Sequence, residues 1–297
     1  MKITNRLNLP SAFVEMAQQD YTFAPNEYRV TSLLKGMRQT ILERRHHDEI
    51  EQDVSDMIWL LFGTAVHGIL ERQQEGANEL KEERVKVVVG DYILSGQFDL
   101  YSETEKQITD YKTCSIWKII HQDYSDWRKQ LLIYAWMMRS IGFEVNSGQV
   151  VALAKDHSKS KAKFDATYPQ YPVVPITFEF SEKDFIEIEF WIASKFQEIA
   201  IVETFSDDDL PICTDEERWY TGDKYAVMAK GRKSALRVLD SWDDAVAWMG
   251  INDKGDSIVE RKGEDKRCDE YCSVNQFCNY YLEKTGGKKH ECLPEAI

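Results

Sequence analysis

Two β-prone runs, residues 92–101 and 107–113, are separated only by the polar Ser102-Glu103-Thr104-Glu105-Lys106, a spacing that predicts an antiparallel hairpin with its tip at Thr104-Glu105. Each run carries an aspartate, in Gly96-Gln97-Phe98-Asp99-Leu100 and in Ile108-Thr109-Asp110-Tyr111-Lys112-Thr113. In that register Asp99 and Asp110 fall opposite each other, with Cβ atoms roughly 4.5–5.5 Å apart. Two carboxylates so placed repel. A divalent cation is the simplest remedy, and Mg²⁺ or Mn²⁺ accepts such hard oxygen ligands. Strand alternation puts Lys112 on the face of Asp110. A lysine there can orient or polarise an attacking water, or neutralise charge on a phosphate while the metal acidifies bound water. The same acid-x-Lys tripeptide recurs at Glu79-Leu80-Lys81, Glu260-Arg261-Lys262 and Glu264-Asp265-Lys266. Those read as surface chance, because only Asp110 lies in an apolar strand preceded by a second Asp-bearing one.

The flanking sequence adds polar residues at helical spacing. A helix over 54–74 contains Gly63-Thr64-Ala65-Val66-His67-Gly68-Ile69-Leu70-Glu71, where His67 and Glu71 share a face. His67 is either a satisfied core residue or a metal ligand whose other nitrogen Glu71 holds. On a greasy helix over 125–141, Gln130 and Tyr134 stand four apart, as a buried hydrogen-bonding pair or as supports for a site. The pattern further predicts a helix over 31–45 capped by Thr31 or Ser32, and a strand over 85–89. Strands over 149–154 and 173–180 flank a basic loop, and Ser181-Glu182-Lys183-Asp184 caps an amphipathic helix to about 201. Composition changes at Ser206-Asp207-Asp208-Asp209, which predicts a first domain over 1–205 and a C-terminal segment over 206–297. That segment holds a hairpin (224–228 and 236–239), a short helix over 243–249 and a cysteine-rich end.

At 297 residues the chain can bury one elaborated domain, or one domain and an appendage. No apolar signal stretch opens it, and the greasiest run, 130–138, is too short to cross a bilayer, so the expectation is a cytoplasmic protein without membrane contact. Its cysteines are then reduced thiols or metal ligands. Cys268-x3-Cys272-x5-Cys278 makes a compact trio, and Cys213 can supply a fourth ligand; four thiolates suit a [4Fe-4S] cluster or structural Zn²⁺. Cys114 and Cys292 read as incidental. The net charge of −14 has the wrong sign for bulk attraction to nucleic acid. Any such contact must be local: Arg38 with Arg44, Arg45, His46 and His47, the run Lys155, Lys159, Lys161, Lys163, or Lys230, Arg232, Lys233, Arg237. Trp117, Tyr124 and Trp127 read as core residues, with base stacking as the alternative.

In order along the chain, Gly63/His67/Glu71, Gly96/Asp99, Asp110/Lys112 and Gln130/Tyr134 reproduce G-x-x-x-H-x-x-x-E, G-x-x-D, D-x-K and Q-x-x-x-Y. In this the chain resembles the RecB-like branch of the PD-(D/E)XK nucleases over roughly residues 30–205, most of all phage-encoded exonucleases. The resemblance implies an α/β, restriction-endonuclease-like core with a central mixed sheet flanked by helices. It implies that His67, Asp99, Asp110 and the Tyr111 backbone carbonyl bind Mg²⁺ or Mn²⁺, that Lys112 is catalytic, and that Gln130, Tyr134 and Glu71 support the site. The implied activity is hydrolysis of DNA at its ends, single strands included, in phage recombination or DNA processing, with room for a recombination-protein partner in the host cytoplasm. The cysteines resemble the iron–sulfur staple of the AddAB and CRISPR-adaptation nucleases. Their trio is spaced x2 then x5, however, and their lone cysteine precedes the nuclease core, whereas Cys213 follows it. The alternative function is a nuclease-like DNA-binding or scaffold protein without chemistry. No residue fixes an oligomeric state.

Overall fold

Alternation of buried and half-buried residues along Ser147–Ala154, with Gly148, Val150, Ala152 and Ala154 turned inward, marks a strand laid against a core. It runs parallel to Gln107–Cys114, in a register that pairs Asp110 with Val150 and Lys112 with Ala152. A parallel pair needs a crossover, which the helices Ile116–His121 and Ser125–Ser140 supply. In this computed structural model, which describes residues 1–18, 24–70, 72 and 76–286, these elements belong to a mixed five-stranded sheet. Its order is Val173–Glu179, Ser147–Ala154, Gln107–Cys114, Leu100–Ser102, Glu79–Lys81, with every pairing but the parallel one antiparallel. Helices flank it: Ser125–Ser140 buries Leu131, Leu132, Ile133, Ala135, Met137 and Met138, and Glu182–Val202 packs beside it through Phe185, Ile188, Ile192, Phe196 and Ile199. The longer helix starts at the expected capping box, Ser181 with Asp184.

The described residues form two compact units, one from Met1–Lys35 and His47–Phe205, the other from Gly36–His46 and the residues from Ser206 onward. Two expected elements are divided. The strand expected over 92–101 bends at Phe98 and Asp99: Tyr92–Gln97 joins a three-stranded sheet with Glu27–Arg29 and Arg84–Val89, while Leu100–Ser102 pairs with Gln107–Cys114. Burial of the Phe98 ring and a hydrogen bond from Glu82 N–H to the Asp99 carbonyl (3.1 Å) hold the bend. The helix expected over 31–45 breaks into Val30–Leu33, preceded by Arg29 rather than capped by Thr31 or Ser32, and Met37–Arg45 in the other unit. Gly36 makes the break: its backbone is extended (ψ 142°), and a Cβ there would stand 2.8 Å from Cys213 Sγ.

In the second unit, Lys224–Met228 pairs with Arg237–Leu239 as the expected hairpin, and Ser257–Arg261 adds a third antiparallel strand. Trp242–Ile251 covers the expected short helix, capped by Ser241. Short helical turns at Lys266–Glu270, Asn275–Phe277 and Asn279–Thr285 carry the cysteine trio. Among the described residues no helix is long and apolar enough to cross a membrane.

Candidate active site and cysteine pocket

The bend at Asp99 and the end of the central strand bring the polar residues of the first unit together. The ladder pairs Leu100 with Thr109 and Tyr101 with Ile108, so Asp99 falls one step beyond the last pair, opposite Asp110. Its Oδ2 accepts the Tyr111 N–H at 2.6 Å, and its Oδ1 lies 3.4 Å from His67 Nδ1, on the helix Ile58–Leu70. In an extended strand a residue's N–H and C=O point to the same side, so the Tyr111 carbonyl faces the side on which Asp99 stands. The hydrogen bond that His67 donates to the Asp99 carboxylate, opposed by burial, raises the His67 pKa above the usual imidazole value.

Glu82, which no sequence pattern singled out, completes this group. One donor atom each from His67, Glu82 and Asp99 lies within 4.8 Å of the others. Glu82 reaches the position through a left-handed backbone (φ 51°), and Gln97 Nε2 donates to its Oε2 at 3.0 Å. Asp110 stands beside the trio, 3% exposed, with Lys112 Nζ 2.9 Å from Oδ2 and 3.2 Å from Oδ1. Only the Oδ1 contact has hydrogen-bond geometry, which leaves Oδ2 a buried oxygen with no donor among the described residues. Burial pushes the Asp110 carboxyl up, with Asp99 adding to it. Burial also opposes charge on Lys112, but the Asp110 carboxylate outweighs it and raises the ammonium, so the pair stands as a buried ion pair. Two carboxylates and an imidazole gathered within 4.8 Å, with the buried Asp110 carboxylate and its donorless oxygen beside them, match the donor set of a hard divalent cation.

Gln130 Nε2 donates to Tyr134 Oη at 3.1 Å, and burial raises the Tyr134 phenol. The Tyr134 ring lies flat against Gly96, where a Cβ would stand 2.6 Å from Cε1. The glycine of one motif is thus the seat of the tyrosine of another. Glu71 lies outside the described residues.

In the second unit Cys213, Cys268, Cys272 and Cys278 line one pocket. Burial, ahead of the charges around them, pushes the Cys268 and Cys272 thiols up to about 12. At neutral pH they stand as thiols, and a bound cation would favour their thiolate form. Among the described residues the only triad with donor atoms within 4.8 Å of one another is His67, Glu82 and Asp99, so no three of these sulfurs come that close. A tetrahedral zinc with Zn–S near 2.3 Å would draw its thiolates to about 3.8 Å apart. Arg38, expected on a basic surface, is instead 3% exposed at this pocket. It donates to the Leu210 and Pro211 carbonyls and to Asn279 Oδ1, and its Nη1 lies 3.8 Å from Cys278 Sγ. Arg45 and His46 are likewise engaged, each 2.6 Å from an Asp207 oxygen. Cys292 lies outside the described residues.

No family model and no curated protein matches this sequence. Among solved structures the chain is similar to SSO0001, at 16% identity and a TM-score of 0.43 over 63% of this chain and 83% of that one. It is similar to a phage-related exonuclease from Haemophilus somnus 129PT, at 15% identity and a TM-score of 0.27 over 64% and 79%. It is also similar to LHK-Exo, solved in complex with dAMP, at 14% identity and a TM-score of 0.33 over 58% and 91%. At these scores the likeness says nothing about chemistry.

Proposed function

We propose that the chain is a metal-dependent deoxyribonuclease, built on the first unit, that hydrolyses phosphodiester bonds at DNA ends. The observation that carries this reading is the convergence of His67, Glu82 and Asp99 beside a donorless Asp110 oxygen and a buried lysine. Glu82 and Asp99 each accept a hydrogen bond within the fold, but a buried carboxylate oxygen left without one, as Asp110 Oδ2 is, calls for a cation. In this reading His67, Glu82, Asp99, Asp110 and the Tyr111 carbonyl hold Mg²⁺ or Mn²⁺. When bound, the ion supplies charge neutralisation at the scissile phosphate and acidifies water.

The chain's own groups do the rest. The Tyr111 N–H fixes Asp99, and Asp99 fixes the His67 ring. Lys112, charged beside Asp110, orients the attacking water and offsets the negative charge that builds as the new P–O bond forms and the bridging P–O bond breaks. The water's proton leaves to solvent, and the departing sugar oxygen takes one up. Gln130 and Tyr134 keep the strand ends in register. The four cysteines, which line one pocket, hold a metal centre, a [4Fe-4S] cluster or a structural Zn²⁺, that ties the second unit's segments together. Digestion of single- and double-stranded DNA labelled at either end, with Mg²⁺ or Mn²⁺, tests the reading. Cleavage that Asp110→Ala abolishes upholds it, and untouched DNA in manganese refutes it.

A further inference from the structure

Beyond the carboxylates, the first unit carries a second concave site. A cleft of about 650 Å³ opens between the helix Ile116–His121 and the loop after Ser147–Ala154, lined by Trp117, Ile120, Lys161, Phe164, Thr167 and Tyr168. Two of its aromatic walls stand open: Trp117, stacked against His121 at 5.7 Å, is 55% and Phe164 89% exposed, although burying such rings is among the stronger stabilising effects available to a fold. Residues 155–165 bring four lysines, Lys155, Lys159, Lys161 and Lys163, against two aspartates. Both aspartates are occupied. Asp156 accepts the Ile116 N–H (2.6 Å) and the Ser115 hydroxyl (2.8 Å), and Asp165 accepts the Thr167 N–H (2.9 Å) and hydroxyl (2.6 Å). Among the described residues none of the four lysines pairs with a carboxylate. In a chain of net charge −14, this is a place where positive charge stands unneutralised beside open rings.

The cleft lies beyond the end of the strand Gln107–Cys114, which carries Asp110 and Lys112. Cys114 is two residues, about 7 Å, along the strand from Lys112, and its carbonyl accepts the Lys155 N–H at 3.0 Å. Lys155 Nζ sits 4.1 Å from the ring of Trp59, itself 60% exposed on the helix that carries His67. Trp117 follows in the first turn of the next helix. The Asp156 contacts and the hydrogen bond from Ser158 N–H to Tyr168 Oη (3.0 Å) fix the loop, so the walls are preformed.

We propose that this cleft takes a nucleotide of a single strand leaving the carboxylate site, with its base against Trp117 and Phe164 and its phosphates on Lys161 and Lys155. Open aromatic faces among lysines are how unpaired nucleic acid is held, because every base has a flat face that can stack on a ring. A duplex keeps its bases stacked on one another, and they cannot enter. The cleft thus makes single-stranded DNA the preferred form of the substrate, an inference that rests on the nuclease reading for its direction but not for its test.

The test uses the full chain carrying Asp110→Asn, so that binding is read without cleavage, and a fluorescently labelled single strand alongside a blunt duplex of the same sequence. Trp117→Ala is expected to weaken single-strand binding about tenfold, the loss of one stacked base, to leave the duplex unchanged, and to be largely rescued by Trp117→Phe. Lys161→Gln should lower the slope of log K against log salt by about 0.7, the value for one phosphate contact on a single strand. An unaltered melting temperature for Trp117→Ala shows that the fold is intact; should it drop, Phe164→Ala, at the more exposed wall, gives the same readout. Equal single-strand affinity with and without the aromatic walls, or tighter binding of an acidic peptide than of DNA, overturns the proposal. If the parent chain cuts DNA while its binding ignores Trp117, the cleft falls and the nuclease stands; Trp117-dependent binding by a chain that cuts nothing does the reverse.

Discussion

Asp99 and Tyr111 are joined by a 2.6 Å hydrogen bond from the tyrosine's backbone N–H to the aspartate's Oδ2, which turns the other carboxylate oxygen toward His67. One oxygen therefore belongs to the fold and one to the site. Asp99→Asn keeps an oxygen that can accept the N–H but removes the charge. Its melting temperature should stay near the parent's, while Mn²⁺ affinity, followed by titration calorimetry, should fall by a hundredfold or more, about 2.7 kcal/mol. Asp99→Ala should lose both stability and metal, and equal metal affinity in Asp99→Asn would remove Asp99 from the ligand set.

The hairpin that carries Asp99 and Asp110 was legible because strand periodicity is two and the tip is short: register then follows from counting, and so does the shared face of Asp110 and Lys112. Glu82 was not, because its place depends on a left-handed backbone and on a bend in a strand that reads as continuous. Arg38 was misread for a related reason. A basic residue in an amphipathic segment looks like surface unless one knows that Gly36 ends the preceding helix and that carbonyls from residues far along the chain surround the guanidinium. Of the three aromatics read as core, Trp127 is buried and Tyr124 stacks on it at 5.5 Å, but Trp117 faces outward. A six-residue helix is too short for periodicity to tell these apart.

Gly96 and Tyr134 make the next case. A methyl group on Gly96 would meet the Tyr134 ring at 2.6 Å and Val30 Cγ2 at 2.9 Å, and neither is the loose end of a flexible chain. Gly96→Ala should destabilise the protein by about 2 kcal/mol, the range of core overpacking, measured by denaturant unfolding. With Tyr134→Leu added, the combined loss should be smaller than the two separate losses summed, because the clash is gone. Strict additivity would mean that the two positions do not touch.

Asp184 supplies a pH dependence. The Ser181 N–H, then Arg128, hold its carboxyl down to about 2, below the ordinary carboxylate range. A folded-state pKa below the unfolded one stabilises the native state at every pH above the unfolded value near 4, and that stability is lost as pH falls toward the folded value. Asp184→Asn should therefore cost about 1 kcal/mol at neutral pH, the usual worth of a helix cap. The gap between variant and parent should close as the pH is brought down toward 2. A gap that stays constant with pH would assign the effect to packing rather than charge.

Arg38 is the last and most severe case. Its guanidinium satisfies the Leu210 and Pro211 carbonyls on one side of Cys213 and Asn279 beside Cys278, all within the second unit. Arg38→Met fills much of the same volume but strands the buried Leu210 carbonyl, worth about 1–3 kcal/mol when left without a donor, and removes the donor from the Pro211 carbonyl and Asn279 Oδ1. Because the two carbonyls belong to the segment that presents Cys213, and Asn279 adjoins Cys278, the loss should be read first at the pocket. Protein purified without oxygen should lose its visible absorption and its sulfide content in the variant while the first unit stays folded. DNA binding by the variant should keep the parent's salt dependence, since a residue 3% exposed makes no phosphate contact. A variant that kept full absorption and lost one unit of salt slope would return Arg38 to the surface role its sequence suggested.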